Sequence, residues 1–291
     1  MKICAMSKVN LGLDVLKRRD DGYHEVRMIM QTLKLCDELY IERAEGSDIS
    51  ITCNNETLEC DENNLIYKAA KLIMDLKGIR AGLKIRLVKN IPIAAGMAGG
   101  STDAAATLVG LNSLFDLNMS VDELKELGVK IGADVPYCIE GGTRLSEGIG
   151  EKLTALKTPP ACFVAVVKPH IGVSTKYVYE NLHVETIEKH PDIDAMIEGI
   201  EEGDLKKIAG HMENILENVT EKEYPVIARF KRIMNDCGAL GAIMSGSGPT
   251  VFGLFDDKSK ADRAIETIIG SGEAAFGCVT EFSDRTCIIS E

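Results

Sequence analysis

The sequence predicts an α+β protein with two domains. Its 291 residues are sufficient for two domains of ordinary size. Strand-like and helix-like segments follow one another in an irregular order, which favours two α+β units over a doubly wound parallel sheet. The pattern breaks at Pro159 and Pro160. We therefore predict an N-terminal domain of residues 1–157 and a C-terminal domain of residues 158–291.

Hydrophobic periodicity and capping signals define the elements of the first domain. The strands alternate apolar and polar residues, most clearly where Leu83, Ile85 and Leu87 share one face. The helices have local start and stop signals, such as Gly78 after the first helix. The predicted elements are strands 39–43, 49–53 and 83–88, helices 63–77 and 101–115, and a third helix from the capping box at 120–123 to Gly132.

The second domain alternates helices with strands over its whole length. It begins with a short apolar strand directly after the proline pair and ends with two further short strands. The predicted elements are strand 162–167, helices 193–199, 204–219 and 225–237, a strand pair across 242–255, helix 258–269, and strands 277–282 and 286–290.

Composition and charge restrict the function classes. The formal net charge of −12 disfavours binding to nucleic acid and to anionic membranes. The nine cysteines are scattered without a CxxC pair, so we expect reduced thiols rather than disulfides or a zinc site. The N-terminus lacks the apolar run of a signal peptide, and no segment has the length of a membrane span. These features predict a cytoplasmic protein.

The most informative segment is a glycine-rich loop between a strand and a helix. The strand ends near Pro92, a run of small residues follows, and the helix is predicted to begin at Ser101. Free N–H groups at a helix start attract anions, and glycines let phosphate oxygens approach the backbone. The predicted phosphate-binding residues are Pro92, Ile93, Ala94, Ala95, Gly96, Met97, Ala98, Gly99, Gly100, Ser101 and Thr102.

Other interpretations of this loop are weaker. A glycine-rich loop often forms only a tight turn where a helix packs on a sheet. Here three glycines and three alanines lie between a strand and a Ser-capped helix, which favours phosphate binding. The loop is not a Walker loop, because no Lys precedes Ser101. It is also a poor dinucleotide fingerprint, because no βαβ unit with a suitably spaced acidic residue follows.

Three motifs in chain order resemble the kinases named after galactose, homoserine, mevalonate and phosphomevalonate, the GHMP superfamily. They are residues 5–11, the glycine-rich loop, and the second glycine motif at residues 244–253. The loop differs from the family's usual Gly-Leu-Gly-Gly-Gly-Ser-Ser at Met97, Ala98 and Thr102. The resemblance implies an N-terminal domain like domain 2 of ribosomal protein S5 and a C-terminal ferredoxin-like α/β sandwich. It also implies a kinase that uses ATP and Mg²⁺.

Two further segments resemble one branch of that superfamily. They are Asp-Gly-Tyr-His-Glu at residues 21–25 and Gly-Ala-Asp-Val-Pro-Tyr at residues 132–137. Members of this branch phosphorylate the 2-hydroxyl of a cytidine-diphosphate-linked methylerythritol in the non-mevalonate route to isoprenoids. The resemblance therefore implies a small-molecule substrate rather than a nucleic acid or a membrane. Neither the oligomeric state nor the metal ligands follow from the sequence.

The resemblance assigns the chemistry to Lys8 and Asp134. An Asp in a Gly-Ala-Asp-Val-Pro turn is ordinarily a local cap, and a single Lys is ordinarily a solvated side chain. Both residues, however, match positions that the family uses for catalysis. The implied roles are Asp134 as the base for the substrate hydroxyl and Lys8 as the cation that orients this hydroxyl and lowers its pKa.

The resemblance also implies which residues form the wall of the substrate-binding pocket. Asn10, Tyr23 and His24 match the substrate-binding positions, with His24 reading the cytosine edge. A second aromatic residue is expected to stack on the cytosine face. Tyr179 is the preferred candidate and Tyr177 is the alternative, although either ring could instead pack within the second domain.

Two alternative functions are compatible with the same motifs. The first is another kinase of the superfamily, which acts on homoserine, mevalonate or a sugar; the Asp-Gly-Tyr-His segment argues against it. The second is a ligand sensor that keeps the fold but has lost catalysis; the presence of both Lys8 and Asp134 argues against it.

Overall fold

Residues 1–290, which the computed structural model describes, form two β-sheets with helices packed against them. The strands are β1 (Lys2–Arg18), β2 (His24–Ala44), β3 (Ile49–Cys53), β4 (Gly82–Val88), β5 (Thr143–Gly148), β6 (Lys152–Ala155), β7 (Phe163–Pro169), β8 (Gly241–Met244), β9 (Val251–Phe255), β10 (Ala274–Glu281) and β11 (Cys287–Ser290). The helices are α1 (Leu65–Lys77), α2 (Gly99–Leu114), α3 (Val121–Val129), α4 (Val135–Glu140), α5 (Thr175–Glu180), α6 (Ile193–Glu202), α7 (Leu205–Gly210), α8 (Glu217–Glu223), α9 (Val226–Asp236) and α10 (Lys258–Gly270). A short 3₁₀ turn covers Val184–Thr186.

The first sheet is built on the long antiparallel hairpin of β1 and β2. The pairing runs from Lys2 opposite Tyr40 to Arg18 opposite His24, so the turn that carries Tyr23 lies at the far tip of the hairpin. On its other edge, β2 pairs with β4 through its C-terminal half and with β5 through its N-terminal half. Strand β3 extends the sheet parallel to β4.

The second sheet has the antiparallel order β10-β7-β9-β8. Helices α9 and α10 pack on it. Strand β11 does not join this sheet but pairs with the first residues of β1. The last strand of the chain therefore returns to the first sheet. The division at residues 157 and 158 stays a prediction about domains, and β11 crosses it.

Several elements begin and end where local signals predict. The Asn64 side chain accepts a hydrogen bond from the Ile66 N–H at the start of α1, and Gly78 ends this helix in the left-handed region. The capping box of Ser120 and Glu123 forms at the start of α3. Helix α3 ends at Val129, however, and not at Gly132.

The prediction of one helix over residues 204–219 is wrong. Helix α7 ends at Gly210, and α8 begins at Glu217. Between them, Asn214 forms a bridge with Leu13 of β1. Its side chain donates 2.8 Å hydrogen bonds to the carbonyl oxygens of Met244 and Gly246. Because these tertiary contacts replace helical hydrogen bonds, the segment is extended across the junction of the two halves.

Strand β1 links two hydrophobic cores. Leu13 and Val15 belong to a core that includes residues of α1, α2, α9 and α10, whereas Val9 and Leu11 belong to a second core formed by residues of both sheets. No helix among residues 1–290 has the length and apolar character needed to cross a membrane.

Candidate active site

A cavity of about 1060 Å³ lies at the junction of the two halves. Its walls come from β1, the start of β2, the glycine-rich loop, the residues before α4, and α5. Thirteen of the fifteen predicted nucleotide- and substrate-binding residues line it, and so do Lys8 and Asp134. The fold therefore brings together residues that lie far apart in the sequence.

Two residues of the predicted phosphate-binding set, Met97 and Thr102, do not line the cavity. Met97 is 1% exposed and packs in the core beside the second sheet. Thr102 is fully buried, and its hydroxyl donates a 2.8 Å hydrogen bond to the carbonyl oxygen of Met6. This hydroxyl is therefore committed to β1, and Ser101 is the hydroxyl of the pair that lines the cavity. Tyr177, the alternative stacking residue, is exposed outside the lining.

Lys8 is the buried cation of the site. It lies in the middle of β1 and is only 4% exposed. Its ammonium group donates a 2.7 Å hydrogen bond to Oδ1 of Asn10 and approaches the carbonyl oxygen of Gly96 at 3.4 Å. Nζ lies 3.7 Å from Oδ2 of Asp134. These contacts fix the Lys8 side chain between the glycine-rich loop and the carboxylate.

Asp134 occupies the residue before α4 but does not cap this helix. Its side chain makes no capping hydrogen bond, so the ordinary structural role of an Asp in such a turn is not fulfilled here. The side chain is about one-third exposed, faces the cavity and has Lys8 as its ion-pair partner. A carboxylate that is held by its backbone and left free of local hydrogen bonds is suited to accept a proton.

The glycine-rich loop ends in the first turn of α2. Helix α2 begins at Gly99, two residues before the predicted start, and Ala98 precedes it with no side-chain capping bond. The N–H groups of this first turn are therefore available to anions. Ala94, Gly96 and Ala98 have positive φ angles of 51°, 72° and 56°. The position of Ala98 thus adopts the left-handed conformation that glycine favours.

The second glycine motif supports the loop from the other half of the chain. The Ser245 hydroxyl donates a 2.9 Å hydrogen bond to the carbonyl oxygen of Gly96. A Cβ atom on Gly96 would lie 2.2 Å from the carbonyl oxygen of Ser245, so only glycine fits between the two motifs. Asn214 holds the second motif through its bonds to Met244 and Gly246. Asn214 could not be predicted as a site residue, because it lies in the predicted helix 204–219 and gives no local signal in the sequence.

Three rings lie at the other end of the cavity. The ring centroids of His24 and Tyr179 are 5.1 Å apart, with 36° between the ring planes. Tyr23 also lines the cavity but is 59% exposed at the tip of the hairpin. Burial, together with the nearby charge of Arg18, lowers the pKa of His24. The imidazole is therefore neutral at neutral pH and offers one hydrogen-bond donor and one acceptor.

No cluster of three or more His, Cys, Asp or Glu side chains suited to a metal ion is found among residues 1–290. Among the oxygen groups that line the cavity, the Ser101 hydroxyl and the Asp134 carboxylate are two that could contact a cation. Mg²⁺ commonly binds through one or two protein oxygens together with substrate phosphates. The residues present therefore fit a magnesium ion that is carried mainly by a nucleotide.

Both halves of the chain match known domain families. Residues 64–142 match the GHMP kinases N terminal domain, and residues 196–274 match the GHMP kinases C terminal domain. The first match contains the glycine-rich loop and Asp134, and the second contains the glycine motif that supports the loop. The fold and the site therefore define a GHMP kinase.

Comparison with similar proteins indicates one family within the GHMP kinases. The 4-diphosphocytidyl-2-C-methyl-D-erythritol kinase of Clostridium perfringens (strain 13 / Type A) is 53% identical over 93% of this chain and 94% of its own. The enzyme of the same name from Lachnoclostridium phytofermentans is 54% identical over 90% of each chain. A crystal structure of 4-(cytidine 5'-diphospho)-2C-methyl-D-erythritol kinase superposes with a TM-score of 0.83 at 32% identity, covering 97% of this chain and 100% of the other.

The chain belongs to the family of 4-diphosphocytidyl-2-C-methyl-D-erythritol kinases. A homoserine kinase from Cytophaga hutchinsonii shares the fold with a TM-score of 0.78, but it is only 20% identical over 99% of this chain and 97% of its own. The predicted fold class, the kinase activity and the resemblance to this branch of the superfamily are confirmed. The roles of the individual site residues stay predictions.

Proposed function

We propose that this protein transfers the γ-phosphoryl group of ATP to the 2-hydroxyl of 4-diphosphocytidyl-2-C-methyl-D-erythritol. The observation that carries the proposal is one cavity with three parts. It contains the glycine-rich loop, the Lys8–Asp134 pair at 3.7 Å, and the His24–Tyr179 rings. The relatives that share about half of the sequence have the name of this activity.

Asp134 is the proposed base. Phosphoryl transfer requires little covalent help from the protein, but the attacking hydroxyl must be positioned and must lose its proton. The Asp134 carboxylate faces the cavity without a capping bond and accepts this proton in the proposed step. A new bond forms between the 2-oxygen and the γ-phosphorus, the bond from the γ-phosphorus to the bridging oxygen breaks, and ADP leaves.

Lys8 is the proposed cation beside the reacting atoms. The side-chain oxygen Oδ1 of Asn10 accepts a 2.7 Å hydrogen bond that holds the ammonium group in place, and burial removes competing water. A positive charge at this point orients the hydroxyl, favours its ionised form and offsets negative charge that develops on the phosphoryl oxygens. The Asn10 amide group has only the weak acceptor Sδ of Met28, at 3.1 Å, and is therefore able to donate to the substrate.

The triphosphate is proposed to lie on the glycine-rich loop. The uncapped first turn of α2 provides N–H donors, and Ser101 provides a hydroxyl at the same place. The proposed cofactor is Mg²⁺, which the oxygens of Ser101 and Asp134 would hold. Mg²⁺ neutralises charge on the β- and γ-phosphates when it is bound.

Cytidine recognition is proposed for the far end of the cavity. Tyr179 offers an aromatic face for stacking, and the neutral His24 ring offers a donor and an acceptor to the polar edge of the base. Tyr23 is exposed beside them and completes this wall. The two ring centroids lie 5.1 Å apart, which is too close to admit a base between them, so the base is expected to stack on the outer face of Tyr179.

The proposed location is the cytoplasm. All nine cysteines are free thiols, and three of them, Cys138, Cys162 and Cys237, are buried. Reduced thiols are typical of a reducing compartment. The proposed partner is the small-molecule substrate.

An assay of ADP release with different acceptors tests the proposal. Purified protein is supplied with Mg-ATP and with the cytidine substrate, homoserine, mevalonate or galactose in turn. We expect turnover with the cytidine substrate and none above background with the others. Turnover with another acceptor alone would assign the protein to that superfamily activity. Binding of ATP without turnover on any acceptor would instead indicate a sensor.

A further inference from the structure

Two parts of the chain form the walls of the cavity at the base end. One wall is the hairpin of β1 and β2, which carries Tyr23 and His24 at its tip. The other comes from residues 170–192, between β7 and α6, which contain helix α5 with Tyr179. We refer to residues 170–192 as the wall segment. The distance between the wall segment and the hairpin decides how Tyr179 faces His24.

The two ends of the wall segment differ in how much apolar surface they bury. Val178 and Leu182 are buried in the core, and the 3₁₀ turn Val184–Thr186 packs against β1. Among the last five residues of the segment, 188–192, only Pro191 is buried. Polar contacts therefore contribute to holding this end of the segment in place.

His190 joins the end of the wall segment to β1. Its Nδ1 lies 2.7 Å from Oδ1 of Asp14. An ionised carboxylate only accepts hydrogen bonds, so Nδ1 carries the proton and is the donor. The Asp14 side chain is 6% exposed, whereas the imidazole is 40% exposed. A hydrogen bond to a buried charged group is stronger than one between neutral groups, so this contact can hold the segment.

A second contact joins the hairpin to the start of α6. Arg27 lies directly opposite Asp14 in the pairing of β1 with β2. Its guanidinium donates hydrogen bonds of 2.8 and 2.6 Å to the two carboxylate oxygens of Asp194, in the first turn of α6. Both members of one cross-strand pair are therefore bound by residues that end the wall segment or follow it. We refer to Asp14, Arg27, His190 and Asp194 as the hairpin clasp.

The charges around the hairpin clasp favour a hydrogen-bond donor at residue 190. The carboxylates of Asp14, Asp194 and Glu147 all act on the Arg27 guanidinium, and Glu147 lies 3.7 Å from its Nε. This region therefore has more negative than positive charge. A buried carboxylate without a partner is costly, and His190 provides Asp14 with a donor from the other wall.

We propose that Asp14 and His190 fix the wall segment against the hairpin and thereby set the affinity of the site for the cytidine part of the acceptor. The inference rests on the proposed function, because that function supplies the cytidine. Neither side chain lines the cavity. Both act through the position of Tyr179 relative to His24 and are therefore positioning residues.

The clasp is close enough to the rings to control their spacing. Arg27 is three residues from His24 on β2, which corresponds to about 10 Å along the strand. If the wall segment moves away from β1, Tyr179 moves away from His24, and a base loses either its stacking or its edge contacts. Lys8 and Asp134 lie outside the wall segment. Loss of the clasp should therefore weaken acceptor binding more than it slows phosphoryl transfer.

Steady-state kinetics of His190→Ala with Mg-ATP and the cytidine substrate test the proposal. KM for the cytidine substrate should rise about 5-fold to 10-fold, because the hydrogen bond to Asp14 is lost. KM for ATP and kcat should stay within about 2-fold of wild type, because the loop and the reactive pair are not moved. His190→Asn should restore KM to within about 2-fold of wild type, because its amide N–H lies as many bonds from Cβ as Nδ1 does.

A double-mutant cycle shows whether the two residues act together. Asp14→Ala should also raise KM for the cytidine substrate. Adding His190→Ala to Asp14→Ala should raise this KM by less than about 2-fold, because the shared contact is already lost.

Ser120→Ala is the control for a general loss of stability. It removes the capping box of α3, and Ser120 does not line the cavity. This variant should unfold at a lower urea concentration than wild type and keep both KM values.

Four results would overturn the proposal. They are an unchanged KM for the cytidine substrate in His190→Ala, equal increases of both KM values in this variant, an equal increase in Ser120→Ala, and failure of His190→Ala to fold. The last result would show that the contact serves overall stability. Absence of wild-type turnover with the cytidine substrate would overturn the proposed function and this inference with it. Normal wild-type turnover together with an unchanged KM in His190→Ala would overturn this inference alone.

Discussion

The two ends of the cavity are built differently. At the reactive end, Lys8 is 4% exposed in the middle of a long strand, and its ammonium group contacts Asn10, Gly96 and Asp134. At the base end, Tyr23 is 59% exposed at the tip of a hairpin, and Tyr179 comes from the six-residue helix α5. The proposed reactive groups thus have several fixed partners, whereas the rings proposed to bind the base have few.

Because of this difference, we expect the reactive end to determine the rate of catalysis and the base end to determine the selectivity for the substrate. Phosphoryl transfer is sensitive to the position of its groups, so rigid supports are needed at the reactive end. Recognition of a planar base needs an aromatic face and hydrogen bonds to its polar edge, which an exposed turn can provide. We therefore expect substitutions at the reactive end to reduce kcat and substitutions at the base end to change binding and preference.

Asp134→Asn should have the largest effect. The substitution keeps the shape of the side chain but removes the proposed proton acceptor, so kcat should fall by about 10²-fold or more while ATP still binds. Steady-state kinetics and calorimetry with ATP measure the two effects separately. Near-normal kcat in the folded variant would show that the carboxylate is not the base.

Tyr179→Ala should affect binding at the base end. Loss of stacking should cost about 1–3 kcal/mol in binding of the substrate, whatever its base, with a much smaller change in kcat. Tyr177→Ala is the matched control, because Tyr177 is exposed outside the cavity lining. Equal effects of the two substitutions on KM would show that Tyr179 does not stack on the base.

His24→Ala should change preference rather than general affinity. A site that hydrogen-bonds a polar edge rejects an analogue whose edge leaves its groups unpaired. The ratio of kcat/KM for the cytidine substrate over its uridine analogue should therefore decrease in the variant. Because burial lowers the pKa of His24, this preference should be constant in wild type above about pH 6.5 and decrease only in more acidic solution. An unchanged ratio would assign base recognition to other groups.

Ala98→Gly should have the smallest effect and should concern stability. Ala98 has a φ of 56°, a conformation that costs a residue with a Cβ atom about 1 kcal/mol relative to glycine. Glycine should therefore raise the free energy of unfolding by about 0.5–1 kcal/mol, measured by urea denaturation, and leave kcat nearly unchanged. Ala95→Gly is the control: Ala95 is buried and its φ is not positive, so glycine should destabilise the protein there. Destabilisation by both substitutions would contradict the assignment of strain to residue 98.

Elements with local signals could be predicted from the sequence. Helix α1 has a capping Asn64 and a terminal Gly78, and β3 alternates apolar and polar residues over the predicted range. Most of β1 could not be predicted, because its central residues are buried on both faces and give no alternation. The break at Asn214 was missed because its cause is contact with distant residues.

In the candidate site, too, only the parts with a local signal could be predicted from the sequence. The glycine-rich loop could be predicted from composition and from its place between a strand and a helix. Lys8 and Asp134 give no signal on their own, and only the family resemblance selected them. The buried cluster of Asp37, Lys89 and Asp103 could not be predicted, because these residues meet only when the sheet and α2 have packed together.

The most direct test compares an acceptor that carries the cytidine nucleotide with one that lacks it. Wild-type kcat/KM is measured with 4-diphosphocytidyl-2-C-methyl-D-erythritol and with methylerythritol that lacks the nucleotide. If the rings at the far end of the cavity bind cytidine, the intact substrate should be preferred by at least about 10²-fold, because stacking and hydrogen bonds to the base are lost without it. Equal kcat/KM values for the two acceptors would contradict this assignment.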